Sequence, residues 1–119
     1  MNKENKLVPG LPSGFEDRWD KKLLLKKKLL KAIENNFIKF GAEALETPSF
    51  EISENIGSFL AEDDSNPMSD VFSFQDGEKS ITLRYDLSSP LARFVAQNNQ
   101  ELPSIFKRYQ IQNVFRNEK

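Results

Sequence analysis

The sequence predicts an α+β fold, and three observations carry that expectation. An apolar stripe of helical period runs between Asp17 and Phe40. Two strand-like runs are joined through Asp76 and Gly77, and a final stretch from Phe106 to Lys119 alternates apolar and polar residues. A chain of 119 residues is the size of one modest domain. Such a chain buries about two thirds of the surface its unfolded form exposes, which allows one core and no more. Hydrophobic residues make up 38% and charged residues 29% of the chain, a balance that fits a packed fold and is too apolar for wholesale disorder.

The elements follow in order. Residues 1–13 carry Pro9, Pro12 and one glycine, which suits an extended leader better than a helix. From Asp17 to Phe40, Trp19, Leu23, Leu30, Ile33, Phe37 and Phe40 recur at spacings of three, four and seven, and Leu25, Leu29 and Ile38 widen the stripe into an amphipathic helix. Gly41 stands where a left-handed residue closes a helix. Residues 42–47 then read as a short strand stopped by Pro48, which cannot donate to a ladder. The run from Ser58 to Asp70, with Glu62, Asp63, Asp64, Ser65, Asn66 and Pro67, reads as a loop. Val71–Phe74 and Ser80–Asp86 are the two arms of a hairpin. In the second arm Thr82, Arg84 and Asp86 share one face, expected to be polar and functional, while Leu83 and Tyr85 share the packed one. Ser88 precedes a second helix with Pro90 in its first turn and Leu91, Phe94 and Val95 on its apolar face. The chain ends in a strand on which Tyr109, Ile111 and Phe115 point one way and Gln112, Val114, Arg116 and Glu118 the other.

Composition excludes several kinds of function. Seventeen basic residues against eighteen acidic ones leave a formal net charge of -1, so totals show no pull toward nucleic acid or anionic lipid. The lysines of the first helix, Lys21, Lys22, Lys26, Lys27, Lys28 and Lys31, read as the solvated side of a surface helix, with a nucleic-acid patch as the alternative. Without cysteine there is neither a disulfide framework nor thiolate chemistry, and the cytoplasm is the expected compartment. Without histidine, the usual base near neutral pH and the commonest transition-metal ligand are missing. The acidic run at 62–64 lacks the ligand spacing of an EF-hand, and no metal-binding residues are assigned. No apolar run is long enough to span a membrane.

Two constellations remain for chemistry. Arg116 and Glu118 share one side of the last strand; a guanidinium grips phosphate or carboxylate through paired donors, and a neighbouring carboxylate accepts from an exocyclic amine. The pair suits a nucleotide, and an exposed ion pair is the plain alternative. Asp86 and Ser88 lie where a strand gives way to a helix. Asp86 suits a substrate ammonium and Ser88 a hydroxyl contact, with Arg84 neutralising Asp86; equally, Ser88 is a natural N-cap and Asp86 a natural first-turn acid.

The run Leu83-Arg84-Tyr85-Asp86-Leu87-Ser88-Ser89-Pro90-Leu91-Ala92-Arg93-Phe94 resembles the histidine-recognition segment of histidyl-tRNA synthetases. Phe106-Lys107-Arg108-Tyr109 through Phe115-Arg116-Asn117-Glu118 resembles their class II motif 2. Residues 41–48 are similar to the end of motif 1, and Leu11-Pro12-Ser13-Gly14 to the family's opening before its first helix. The resemblance implies part of a class II synthetase catalytic domain: a mixed, mainly antiparallel sheet with flanking helices. It divides the chain into the leader at 1–13, a motif 1-like helix and strand at 14–50, and the recognition hairpin, helix and start of motif 2 at 71–119. It implies a homodimer through 41–50, and a reaction in which L-histidine and ATP, with Mg2+, form histidyl-adenylate before transfer to tRNA(His). Residue by residue, Arg116 matches the arginine that binds the α-phosphate and the amino acid carboxylate, and Glu118 the acid that helps place adenosine. Asp86, Leu87 and Ser88 match the histidine-binding positions, with Ser88 standing where the family usually has threonine. The magnesium ligands are expected beyond residue 119.

The end of the chain inside a motif 2-like strand makes truncation the expected account. Two rival readings are a non-catalytic histidine-sensing paralogue and a stand-alone α+β binding module. Retention of Arg116 and Glu118 argues against the sensor, which needs no grip on ATP. Adenylation needs charge stabilisation from several directions at once. The 119-residue chain alone is therefore expected to give no aminoacylation above background in a tRNA-charging assay, and measurable charging would overturn the truncation expectation.

Overall fold

The computed structural model of the protein describes residues 6–60 and 71–117. The acidic run expected as a loop at 62–64, and Glu118, lie outside the described residues. The chain divides into two compact units, Met1–Asn36 and Phe37–Lys119.

In the first unit the leader is irregular, as its prolines predict, with one turn in which the Phe15 N–H donates to the Pro12 carbonyl at 3.1 Å. Helix α1 (Asp20–Lys39) begins three residues later than expected. Asp20 carries a left-handed φ of 52°, which the preceding residues cannot continue as a right-handed helix. The stripe that was expected to pack is not covered: no residue of α1 is buried, and Leu25 and Leu29 remain 70% and 60% exposed.

The second unit opens on the end of α1. Gly41 has φ +80°, its N–H donates to Ile38 at 3.0 Å, and the Ala42 N–H reaches back to Phe37 at 3.1 Å. These are the two bonds of a Schellman closure, so the glycine stands there for its backbone conformation. Strand β1 (Glu43–Ala44) pairs in parallel with β5 (Arg108–Tyr109), and Phe37 stacks on Tyr109 at 5.8 Å to seal that corner.

A second sheet has the order β2-β4-β3, all antiparallel, from β2 (Phe50–Ile52), β3 (Ser73–Asp76) and β4 (Lys79–Leu83). The hairpin forms, but its central pair is Gly77-Glu78, because Asp76 pairs with Lys79. Only Gly77 of the two has positive φ, +64°, the pattern of a II′ turn, which needs glycine first. Helix α2 (Ser53–Leu60) was not foreseen, and it occupies the start of what read as a loop. Helix α3 (Ser88–Asn98) forms where expected, with Pro90 fully buried in its first turn. The final strand is much shorter than its alternation suggests, since only Arg108 and Tyr109 enter a ladder.

The register explains an inversion. Glu51, Thr82 and Ser73 lie directly across from one another, and so do Ile52, Ile81 and Phe74 on the other face. The polar row contains the buried members: Glu51 and Thr82 are 5% and 1% exposed, whereas Phe50, Ile52 and Phe74 are all exposed. The face expected to be polar and accessible is therefore the packed one. It can be buried because its groups are satisfied. Ser53 Oγ lies 2.6 Å from Thr82 Oγ1 and donates to Ser80 Oγ at 2.9 Å, while Arg93 of α3 donates Nε and Nη2 to the two Glu51 oxygens at 2.9 and 3.1 Å.

Breaking one half of such a pair strands a charge, whereas replacing both halves removes the desolvation penalty as well. Glu51→Leu alone is expected to cost about 3 kcal/mol of stability. Glu51→Leu with Arg93→Leu should recover most of that loss, as read from urea unfolding midpoints.

Candidate active-site segment

Four stretches converge after β4. Arg84 follows the strand, and its own N–H donates to the Ser49 carbonyl at 2.9 Å. The residue is 3% exposed; Nε donates to the Asn113 carbonyl at 2.6 Å and Nη1 to the Thr47 carbonyl at 2.8 Å. Burial pushes the Arg84 pKa down, while Glu51 and then Glu46 pull it back up. An arginine's ordinary value lies so far above neutrality that the group stays charged. The Arg84 guanidinium thus spends its bonds on the Asn113 and Thr47 carbonyls, and its expected role as neutraliser of Asp86 gives way to one as a clamp on the backbone.

The clamp explains why the last strand stops early. The Thr47 N–H donates to Gln112 Oε1 at 3.0 Å, Gln112 Nε2 returns a bond to the Thr47 carbonyl at 3.2 Å, and Gln110 Nε2 donates to Thr47 Oγ1 at 2.9 Å. Side-chain amides thus take backbone partners that a ladder would otherwise supply. The 113–116 stretch returns to β4's continuation instead: the Phe115 N–H donates to the Arg84 carbonyl at 2.9 Å.

That bond delivers Arg116. Its Nε donates to the Tyr85 carbonyl at 3.2 Å, and its guanidinium carbon stands 4.4 Å from the centre of the Tyr85 ring. The two sequence-predicted segments are thereby brought together, with Arg116 meeting the residue before Asp86. Asp86 itself caps α3, accepting from the Ser89 N–H at 3.3 Å and from Ser89 Oγ at 3.5 Å. The helix N-cap is Leu87, which makes no side-chain cap bond, and Ser88 is already the first helical residue, so the capping foreseen for Ser88 falls to Asp86.

Asp86 and Ser88 line an open cleft of about 580 Å³ with Asn55, Ser89, Arg93 and Gln97. Arg116 is not part of its wall. Arg93 and Asn55 were not singled out from sequence as site residues. For Arg93 a signal existed, since Gln97 follows it four residues later and accepts its Nη1 at 2.7 Å. For Asn55 none did, because α2 went unforeseen. Among the described residues no three acidic or other metal-ligating side chains come together.

No protein-family model matches the chain. It is 83% identical over all 119 residues to the histidine--tRNA ligase of Pelagibacter ubique, of which it covers 26%. Against the histidine--tRNA ligase of Methylocella silvestris it is 46% identical, over 92% of this chain and 22% of that protein. The crystal structure of histidyl-tRNA synthetase from Nostoc superposes with a TM-score of 0.78 at 28% identity, over 92% of this chain and 25% of that one. A Bacillus halodurans structure described as an ATP phosphoribosyltransferase regulatory subunit/histidyl-tRNA synthetase superposes at 0.79; at 24% identity it bears on fold alone. The chain spans about a quarter of the length of these relatives.

The helices, the antiparallel sheet and the 84–116 junction are part of a class II aminoacyl-tRNA synthetase catalytic domain, α+β in class. Over its whole length, and as a segment of the longer proteins it matches, the chain belongs to the histidyl-tRNA synthetase family.

Replacing Arg84 by Met removes the donor to the Asn113 carbonyl and one of two donors to the Thr47 carbonyl. The expected cost is about 2–4 kcal/mol, read by urea unfolding.

Proposed function

We propose that the chain supplies the amino-acid-recognition turn and the first phosphate grip of an adenylation site that activates L-histidine with ATP and passes it to tRNA(His). The observation that carries this reading is the junction itself: Arg116, on the motif 2-like segment, is held at Tyr85, next to Asp86 on the recognition-like segment. In the reaction a histidine carboxylate oxygen bonds to the α-phosphorus as the bond to the pyrophosphate oxygen breaks. Negative charge gathers on the α-phosphate oxygens. Arg116 contributes a planar, permanently charged fork there, which binds carboxylate and phosphate alike.

Asp86 holds the substrate ammonium, with the Ser88 hydroxyl and Leu87 completing the recognition turn. Asp86 also caps α3, and a carboxylate serves both purposes because it accepts several bonds. Glu118 places the adenosine in this reading. Dimerisation through 41–50, in the cytoplasm where tRNA is charged, completes the proposal; Phe50, 56% exposed, is in keeping with a contact there. Among the described residues no helix is long and apolar enough to cross a membrane. Magnesium would arrive with ATP.

The test uses a chimera in which this chain replaces the 119 matching residues of the Pelagibacter ubique relative, assayed by histidine-dependent exchange of pyrophosphate into ATP. Arg116→Ala should lower kcat/KM by at least about 100-fold, the scale of losing one preorganised donor to a transition-state oxyanion. Asp86→Asn keeps a cap acceptor and loses the charge. It should therefore raise KM for histidine at least about tenfold with little change in melting temperature. Normal histidine KM in Asp86→Asn would reduce Asp86 to a cap.

A further inference from the structure

We propose that Tyr85 is a positioning residue for Arg116: its ring is the platform that fixes the plane of the guanidinium, so that the arginine meets an anionic oxygen already oriented. This inference rests on the reading of Arg116 given above and assigns a role to a residue that reading leaves without one.

Arg116 is exposed. An exposed arginine has many rotamers, and each must be given up when it grips a planar anion. Here two contacts select one of them. The Nε bond to the Tyr85 carbonyl sets one edge of the fork, and the ring, 4.4 Å from the guanidinium carbon, sets its plane. Nε is the donor used, which leaves the Nη1 and Nη2 pair as the edge suited to a bidentate grip. The ring also shields one face of the cation from water, which strengthens its pull on charge at the other edges.

Tyr85 is itself held in place. It is half-buried between Arg84, whose guanidinium is clamped to two carbonyls, and Asp86, which caps α3. The backbone that carries the ring is thus held on both sides, and an aliphatic residue would offer neither the flat face nor its negative potential.

The chimera described above, assayed by pyrophosphate exchange with ATP varied, tests this through Tyr85→Leu, Tyr85→Met, Tyr85→Phe, Arg116→Ala and Tyr85→Leu/Arg116→Ala. Both aliphatic variants should lose roughly 5- to 30-fold in kcat/KM for ATP, with melting temperatures recorded beside them. If leucine fails to fold, methionine fills the gap without a ring. Tyr85→Phe should restore most of the activity, because the platform is the ring. In the Arg116→Ala background Tyr85→Leu should cost nothing further, since a platform without its arginine has no work left. Losses that multiply in the double variant, a phenylalanine as damaging as leucine, or aliphatic variants at full activity would each overturn the inference while leaving Arg116 in place. An Arg116→Ala chimera of full activity would instead remove the underlying reading, and the inference with it.

Discussion

A buried guanidinium organises this molecule. Arg84 has two choices in principle: to pair with a carboxylate or to use up backbone carbonyls. It takes the second course, with bonds to Thr47 and Asn113 and its own N–H on Ser49. A buried charge without hydrogen bonds is prohibitively costly, so any arrangement that buries Arg84 must bring those carbonyls to it. The residues after β1, the end of β4 and the stretch beyond β5 are thus held together at one side chain. The Phe115 to Arg84 bond and the approach of Arg116 to Tyr85 depend on that convergence.

The second sheet shows the same logic on a larger scale. Burying Glu51 and Thr82 while leaving Phe50, Ile52 and Phe74 exposed reverses the usual division of a half-buried sheet. Arg93 makes this possible by meeting both oxygens of Glu51, and Ser53 does so by meeting Thr82. The outcome bears on the site, because Arg93 ties α3 to β2 and Asp86 ties the start of α3 to the turn before it. The turn from β4 into α3 is consequently held by polar contacts at Asp86 and at Arg93.

Local signals were legible wherever they arise from neighbouring residues. The Schellman closure at Gly41, the hairpin near Gly77 and the helix after Ser88 all follow from backbone preferences that a short window carries. Helix α2 was missed because eight residues with a glycine inside carry too little periodicity to stand out. The last strand was overdrawn because its alternation is genuine while its hydrogen bonds go elsewhere, to the Thr47 backbone and to Arg84. Hairpin register slipped by one residue because both Asp-Gly and Gly-Glu make a two-residue loop; an Asp-Gly loop of type I′ needs positive φ at Asp76, which pairs in the strand instead, so Gly77 becomes the first residue of a II′ turn.

By itself the sequence determined the α+β class, the principal helices and the two motifs that place the chain in its family, since each depends on residue type and spacing. Which motif residues act as scaffold and which stay accessible was decided only by tertiary structure. Arg84, Asp86 and Arg116 look alike in the linear chain, as charged residues near strand ends. The fold buries the first as a clamp, uses the second as a cap that also lines a cleft, and leaves the third stacked on Tyr85. The physical reason is that a charged side chain's role is set by the partners that replace its water, and those partners lie 29 to 37 residues away for Arg84 and 31 for Arg116.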